Sequence, residues 1–157
     1  MKVARLTLSD RASAGVYEDR SGPEIERILT ESGFSVDSWI RIVMPDERQE
    51  LELLLCRLVD IDGVDLILTT GGTGPSARDI TPEATRAVLE RELPGFGEAM
   101  RMQSFASVPT AILSRATAGT RGRCLIVNLP GNPRAIGECL PMLLPAVREA
   151  LKHLRGE

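Results

Sequence analysis

The chain has 157 residues, of which 43% are hydrophobic and 26% are charged, as in an ordinary globular protein. This length can bury a sizeable core, and we expect one domain over residues 1–157. The net charge of −3 argues against a surface that coats nucleic acid, and no apolar run is long enough to span a membrane. Three widely spaced cysteines and the lack of a signal-peptide pattern predict a cytoplasmic protein with reduced thiols, not a disulfide framework or a zinc site.

The first half of the chain alternates short apolar runs with amphipathic segments. An apolar run predicts a strand at residues 3–8, and the polar residues after it predict a loop at 9–15. A proline and a glycine bound a predicted helix at 23–33. Loose alternation predicts a second strand at 34–43, and leucines at helical spacing predict a helix from 45 to about 59.

Residues 64–85 are the most informative about function, because a buried strand, a glycine-rich loop and a helix follow one another there. The apolar run at 64–68 is typical of a strand covered on both faces, and Thr81-Pro82 predicts an N-cap followed by proline at the first helical position. Glycines at 71, 72 and 74 allow positive φ and close approach of a ligand, and successive N–H groups can form an anion-binding nest. A tight surface turn is the alternative interpretation, but neighbouring threonine, arginine and aspartate side chains favour a ligand loop.

Two nucleotide-binding motifs do not account for this loop. The phosphate loop of nucleoside triphosphatases requires Lys-Ser or Lys-Thr after its last glycine, where this chain has Pro75-Ser76. Residues 72–77 fit the loose dinucleotide fingerprint, but the predicted helix begins at Pro82, too far from Gly74, and no acidic residue lies at the required distance. We therefore set both motifs aside.

The second half of the chain combines clear helices with a stretch of weak pattern. The expected elements are helices at 82–92 and 94–104, a strand or an irregular segment at 110–115, a turn-rich stretch at 116–122, a buried strand at 123–127 and a helix at 134–155. Asn132 and Pro133 match the N-cap and the first position of that last helix. Pro141 and Pro145 are expected to break or kink it.

Strands that alternate with helices predict an α/β fold with three layers, α/β/α, around a mostly parallel sheet. In such sheets, ligands bind beyond the carboxyl ends of the strands. Four segments rich in Gly, Pro or small polar residues follow apolar strands and should meet at that edge: 9–15, 45–47, 71–79 and 130–132. Their convergence indicates a site more strongly than any one segment does.

The predicted edge carries hydroxyls, carboxylates and backbone N–H groups, but no histidine and no obvious pair of nucleophile and base. This set suits phosphate binding and transfer, in which positioning and electrostatic stabilisation do most of the catalysis. Because carboxylates repel a phosphate unless Mg²⁺ lies between them, Asp46 and Asp79 together imply a divalent metal. Structural roles stay open: Asp46 can stabilise a helix start, and Asp79 can form an Asx turn leading into Thr81. Asp10 can pair with Arg11 across its loop. The hydroxyls are those of Ser9, Ser13, Thr70 and Thr73.

The stretch at residues 66–85 is also highly specific as a signature. It consists of Leu-Ile-Leu-Thr-Thr-Gly-Gly-Thr-Gly-Pro followed, after two residues, by Arg-Asp-Ile-Thr-Pro-Glu-Ala-Thr. Further matching segments lie in the right order at 9–15, 45–47, 94–98, 109–115 and 128–133. Over almost its whole length, the chain resembles the molybdopterin adenylyltransferase (MogA/MoaB) family.

The resemblance implies a trimeric cytosolic α/β enzyme that uses ATP and Mg²⁺ to adenylylate molybdopterin and releases pyrophosphate, although a hexamer stays open. The terminal phosphate of molybdopterin would attack the α-phosphate of ATP in line, and the product would be handed over to the enzyme that inserts molybdate. Asp46 and Asp79 are the implied catalytic carboxylates and Mg²⁺ ligands, and which of them binds the metal stays open. The implied substrate-binding residues are Ser9, Ser13, Gly71, Gly72, Thr73, Gly74, Ser114, Pro130, Gly131 and Asn132.

The alternative function is that of a non-catalytic paralogue, which binds molybdopterin as a carrier or scaffold. Such a protein could keep the glycine loop and lose the carboxylates, so the presence of both Asp46 and Asp79 favours the enzyme. Another nucleotide-dependent transferase on the same fold has no positive sign in the sequence.

Overall fold

The computed structural model describes residues 1–157, and its strands and helices alternate along most of the chain. The strands are β1 (Lys2–Leu8), β2 (Ser38–Met44), β3 (Leu66–Thr70), β4 (Arg91–Glu92), β5 (Ala118–Arg121) and β6 (Cys124–Leu129). The helices are α1 (Asp10–Ser13), α2 (Ser21–Glu31), α3 (Arg48–Asp60), α4 (Thr81–Val88), α5 (Gly95–Phe105), a 3₁₀ helix (Pro109–Leu113) and α6 (Pro133–Arg155). No helix is both long enough and apolar enough to cross a membrane.

The six strands form one sheet in the order β2-β1-β3-β6-β5-β4. β1 pairs in parallel with β2 and β3, and β3 pairs in parallel with β6, whereas β5 and β4 form an antiparallel edge. The predicted mostly parallel sheet is therefore confirmed. Leu8 pairs with Met44, and Thr70 pairs with Leu129. Because these residues end their strands, the four parallel strands finish in register at one edge of the sheet.

Both faces of the sheet are covered, which confirms the three predicted layers. Along β3, Leu66 and Leu68 pack into a core cluster with α2, α5 and α6, while Ile67 packs into a second cluster with α3 and α4. Leu125 and Ile126 of β6 divide in the same way between the two faces. Burying one such aliphatic side chain contributes about 2 kcal/mol. The nearly continuous apolar runs are therefore explained by helices on both sides of the strands.

The weakly patterned second half differs from its prediction in three places. The helix expected at 82–92 ends at Val88, and its last residues form β4, which pairs with β5. β5 itself lies in the stretch at 116–122 that was expected to be rich in turns. Of the two alternatives for 110–115, a strand or an irregular segment, the strand is wrong, because residues 110–113 lie in a 3₁₀ helix. β4 and β5 depend on pairing between segments distant in sequence, which local periodicity does not reveal.

Two other differences concern helices. The polar loop expected at 9–15 contains the short helix α1, which forms because the Ser9 hydroxyl accepts a hydrogen bond from the Ala12 N–H at 3.1 Å. α6 continues through Pro141 and Pro145, so of the two predicted outcomes, a break or a kink, the break is wrong. Both prolines are exposed, and the buried leucines between and beside them hold the helix against the sheet.

Candidate functional site

The four predicted segments meet beyond the carboxyl ends of the parallel strands. The Thr70 hydroxyl donates a hydrogen bond to the Pro130 carbonyl at 2.7 Å, which joins the end of β3 to the loop after β6. The Ser21 hydroxyl, at the start of α2, donates to the Gly131 carbonyl at 2.7 Å. The Asp10 N–H donates to the Asp46 carboxylate at 3.2 Å and so joins the other two segments. The predicted convergence is confirmed.

The first two glycines of the loop are required by backbone conformation and by space. Gly71 has φ +92° and Gly72 has φ +65°, in the left-handed region that side chains disfavour. A Cβ on Gly71 would collide with the Leu8 carbonyl, and a Cβ on Gly72 would lie 2.7 Å from the Asp46 carboxylate. These glycines therefore let the loop turn directly beneath Asp46.

Thr81 closes the loop in a way that the sequence did not predict. We expected an N-cap, but Thr81 is the first residue of α4 and Ile80 takes the N-cap position. The Thr81 hydroxyl donates to the Gly71 carbonyl at 2.9 Å, and its N–H donates to the Gly72 carbonyl at 3.1 Å. The Thr81 hydroxyl therefore binds a carbonyl of the glycine loop instead of capping its own helix, and this hydrogen bond links α4 to the turn.

Asp46 has a buried carboxylate oxygen that lacks a hydrogen-bond partner. Its Oδ2 accepts the Asp10 N–H, and its own N–H donates to the Asp10 carboxylate at 3.0 Å. Its Oδ1 is buried beside Gly72 without a partner. Burial raises the pKa of Asp46, and repulsion from Asp10 and Asp79 adds to this, while the Asp10 N–H opposes it. A buried, unpaired anionic oxygen is costly unless a ligand balances it.

Asp10 pairs with Arg78, and the expected pair with Arg11 is therefore wrong. Two nitrogens of the Arg78 guanidinium donate to the Asp10 carboxylate at 2.8 and 3.0 Å. Arg78 also donates to Glu47 at 3.1 Å. The hydrogen bonds from Arg78 hold the pKa of Asp10 below its usual value. An exposed bidentate ion pair thus bridges the glycine loop to the segment after β1, and one further bond from Arg78 reaches Glu47 in the loop after β2.

Asp79 turns its side chain back toward the loop. Its Oδ2 accepts the Ser76 N–H at 3.0 Å, so the expected Asx turn leading into Thr81 is wrong. A Cβ on Gly74 would lie 2.8 Å from the same oxygen. Asp79 is near enough to Asp46 for its charge to raise the pKa of Asp46. Both carboxylates therefore lie beside the glycine loop, Asp46 next to Gly72 and Asp79 next to Gly74.

Two cavities lie against this edge. The first cavity, of about 660 Å³, lies between the ends of β1 and β3 and the start of α6. The second cavity, of about 470 Å³, lies between α5, the 3₁₀ helix and the start of α6. The predicted residues that line the first cavity are Ser9, Gly71, Gly131 and Asn132. Those that line the second are Ser114, Pro130 and Asn132, so the cavities share Asn132, which also caps α6 as predicted.

Other predicted residues lie at the edge without lining either cavity. The Ser13 hydroxyl is exposed and donates to the Asp10 carbonyl at 3.0 Å. Thr73 is buried, and its carbonyl accepts the Arg115 N–H at 2.8 Å. Gly72 and Gly74 lie against the two aspartates. The roles of these residues in substrate binding stay predictions.

Three side chains at the site were not predicted from the sequence. The Tyr17 hydroxyl hydrogen-bonds the Ser9 hydroxyl at 2.7 Å and lines the first cavity. Arg101 lines the second cavity and donates to the carbonyls of Ser114 and Ala116 at 3.2 and 3.0 Å. Arg115 contacts the glycine loop. No local pattern marks Tyr17 or Arg101, whereas Arg115 lies inside one of the segments that carry the family resemblance.

The chain is similar to known proteins over nearly its whole length. Residues 4–151 match the family model described as "Probable molybdopterin binding domain". A molybdopterin adenylyltransferase from Helicobacter pylori strain J99 is 52% identical over 151 residues, which cover 96% of this chain and 86% of the relative. The molybdopterin adenylyltransferase of Escherichia coli K12 is 46% identical, with 98% of this chain and 78% of the relative covered.

The fold has close counterparts among solved structures. The crystal structure of the molybdopterin biosynthesis enzyme MoaB from Thermus thermophilus superposes with a TM-score of 0.89 at 43% identity, covering 99% of this chain and 97% of that one. Sequence and structure therefore agree with the resemblance found in the glycine-loop signature. The chain belongs to the molybdopterin-binding domain family that includes the MogA and MoaB proteins.

Proposed function

We propose that this protein transfers AMP from ATP to the terminal phosphate of molybdopterin and releases pyrophosphate. Relatives named molybdopterin adenylyltransferase support this activity, because they are 46–52% identical in sequence over nearly the whole chain. The observation that carries the proposal is the unpaired, buried Oδ1 of Asp46, held over Gly72 where the glycine loop turns. A carboxylate that is kept desolvated and unsatisfied is suited to a ligand and not to stability.

The donor set at this edge suits Mg²⁺. Mg²⁺ in nucleotide sites is held by one or two carboxylates together with phosphate and water oxygens. Asp46, with its unpaired Oδ1, and Asp79, beside Gly74 in the same loop, would provide the protein ligands. When bound, the ion neutralises phosphate charge and stabilises the charge that develops during transfer.

The reaction is a transfer in which the protein mainly binds and orients. An oxygen of the molybdopterin phosphate forms a bond to the α-phosphorus of ATP, and the bond from that phosphorus to the bridging oxygen of the β-phosphate breaks. The Gly72 N–H at the tight turn is suited to a phosphate oxygen, whereas the Gly71 N–H donates to the Leu129 carbonyl at 3.3 Å. Two cavities that share Asn132 suit two substrates that react with each other through phosphate groups.

The test is pyrophosphate release from ATP by the purified protein, measured with and without molybdopterin and with and without Mg²⁺. Release that requires both molybdopterin and Mg²⁺ is expected. The variants Asp46→Asn and Asp79→Asn should lose it, while Asp60→Asn, in an exposed pair with Arg121 far from the loop, should retain it. Tight binding of molybdopterin without any release would establish the carrier or scaffold function instead.

We also infer a homotrimer that hands its product to the enzyme of molybdate insertion, as the family resemblance implies. A run of large exposed apolar side chains on α5 and the following 3₁₀ helix supports an interface between copies of the chain. They are Met102, Phe105, Val108, Ile112 and Leu113. Sedimentation equilibrium should give three times the chain mass, and a monomer would overturn this inference.

A further inference from the structure

Arg115 connects the two ends of the segment 74–79. Its Nε donates to the Gly74 carbonyl at 2.9 Å, and its Nη2 donates to the Asp79 carbonyl at 2.7 Å. Its own backbone N–H donates to the Thr73 carbonyl at 2.8 Å. One residue, placed just after the 3₁₀ helix and outside the sheet, thus binds three carbonyls of the glycine loop.

A second residue holds the guanidinium in this orientation. Glu83, in the first turn of α4, pairs with Arg115 through both of its carboxylate oxygens. Because α4 is itself tied to the loop by Thr81, the guanidinium has a fixed support on its far side. The planar, multiply donating guanidinium suits this task, since one lysine ammonium cannot reproduce the same fork of hydrogen bonds.

The segment between the Gly74 and Asp79 carbonyls has few other contacts with the rest of the protein. Two hydrogen bonds lie within the segment. The Ser76 N–H donates to the Asp79 carboxylate, and the Asp79 N–H donates to the Ser76 carbonyl, both at 3.0 Å. Such internal bonds keep the shape of the segment but do not fix its position. Arg78 also ties the segment to Asp10 and Glu47, but all three side chains are exposed and solvent screens these ion pairs. The half-buried hydrogen bonds from Arg115 are therefore the main contacts that fix the position of the Asp79 carboxylate.

We propose that Arg115 is a positioning residue for the transfer reaction: by binding the carbonyls of Gly74 and Asp79 at once, it holds the Asp79 carboxylate at the place that turnover requires. This inference rests on the proposed function, because it assigns Arg115 a part in that reaction. Arg115 acts through the loop backbone. Misplacing a reacting group by about 1 Å costs on the order of 100-fold in rate.

The variant Arg115→Gln tests this proposal, with Arg115→Lys beside it. Arg121→Gln is the matched control, because Arg121 also binds a carboxylate and a backbone carbonyl, those of Asp60 and Val88, but on β5 and away from the loop. In Arg115→Gln, kcat for pyrophosphate release should fall about 100-fold while KM for molybdopterin changes by less than about threefold. Arg115→Lys keeps the charge but not the fork of hydrogen bonds, so its kcat should stay below about a tenth of the wild-type value.

Hydrogen exchange of the loop amides provides a readout that does not depend on turnover. In Arg115→Gln, exchange at residues 74–80 should rise on the order of tenfold, while exchange in β3 and β6 stays as in the wild type. Arg121→Gln should change neither kcat nor exchange in the loop. Wild-type kcat with unchanged loop exchange in Arg115→Gln would overturn the proposal, as would equal losses in both arginine variants. If the wild-type protein itself releases no pyrophosphate, the proposed function fails and the positioning role in that reaction fails with it. Loop exchange then reports only whether Arg115 holds the segment.

Discussion

Replacing Asp46 by asparagine should stabilise the folded protein at neutral pH while it removes activity. The substitution keeps the size of the side chain and an oxygen for the Asp10 N–H, but removes the charge from the buried, unpaired Oδ1. It also removes repulsion between Asp46 and the carboxylates of Asp10 and Asp79. Most substitutions destabilise a protein, so a gain in stability is a discriminating result.

The size of the gain follows from the burial of one oxygen. An unpaired buried charge is more costly than the unpaired neutral amide group that replaces it, and because the Asp46 side chain as a whole is only half-buried, we expect a gain of about 1 kcal/mol. In a chain of this length, that free energy corresponds to a rise in Tm of about 3 °C. The wild-type protein should gain stability when Mg²⁺ is added, whereas Asp46→Asn should gain less.

The gain should depend on pH in a defined direction. Because burial raises the pKa of Asp46 above its unfolded value, ionised Asp46 costs stability at neutral pH. This cost is absent below the unfolded pKa, grows as the pH rises to the folded pKa and is constant above it. The advantage of Asp46→Asn should therefore be present at pH 8 and vanish near pH 3.

Thermal unfolding in EDTA at pH 8, for wild type and variant, measures the effect. Asp60→Asn is the control with the opposite sign, because the hydrogen bond from Arg121 lowers the pKa of Asp60 and its charge is favourable at neutral pH. A lower Tm for Asp46→Asn than for wild type at pH 8 without metal would show that Oδ1 is not an uncompensated buried charge. The inference that the unpaired Oδ1 of Asp46 is kept for a ligand would then be refuted.

Three further substitutions test other parts of the site. Asp79→Asn should abolish pyrophosphate release and leave folding and molybdopterin binding largely intact; wild-type turnover in this variant would remove Asp79 from the mechanism. Gly71→Ala should destabilise the protein by about 2 kcal/mol or more, measured by urea unfolding, because φ is +92° and the new Cβ meets the carbonyl at the end of β1. Asn128→Ala should cost about 3 kcal/mol in the same assay, since its buried amide donates to the hydroxyls of Thr69 and Thr85 at 3.0 and 2.9 Å; a loss below about 1 kcal/mol would show that this network contributes little.

The central part of the fold could be predicted because its signals are local. The runs at β3 and β6 carry buried apolar side chains on both faces, and a strand with two covered faces needs no alternation. Asn132 and the proline after it mark the start of α6 through side-chain capping, which depends only on neighbouring residues. The four loops could be assigned to one edge because parallel strands must all end on the same side.

The edge of the sheet could not be predicted for the opposite reason. β4 and β5 are short, and β4 is exposed; the hydrogen bonds that define them come from each other and from β6. Pro141 and Pro145 are strong local signals for a break, yet tertiary packing of α6 outweighs them. In both places, contacts between distant segments decided the local structure.

Partners of charged side chains also required the tertiary structure. Asp10 lies next to Arg11 in sequence, but its bidentate partner is Arg78, 68 residues away. Arg115 has no helical or strand periodicity that would mark its contacts with the glycine loop. Long side chains reach across the fold, so their partners depend on which loops the sheet brings together.

The amino-acid sequence by itself therefore determined the layers of the fold, the edge where the four loops meet, and the glycine loop with Asp79 and the neighbouring Asp46 as candidate site residues. These features follow from apolar patterning, turn chemistry and a specific signature, all of which are local. Only the tertiary structure decided that one oxygen of Asp46 is buried without a partner and that Arg115 hydrogen-bonds two carbonyls of the loop that carries Asp79. Desolvation and hydrogen-bond partners are properties of the packed chain, because they depend on which distant atoms exclude water from each group.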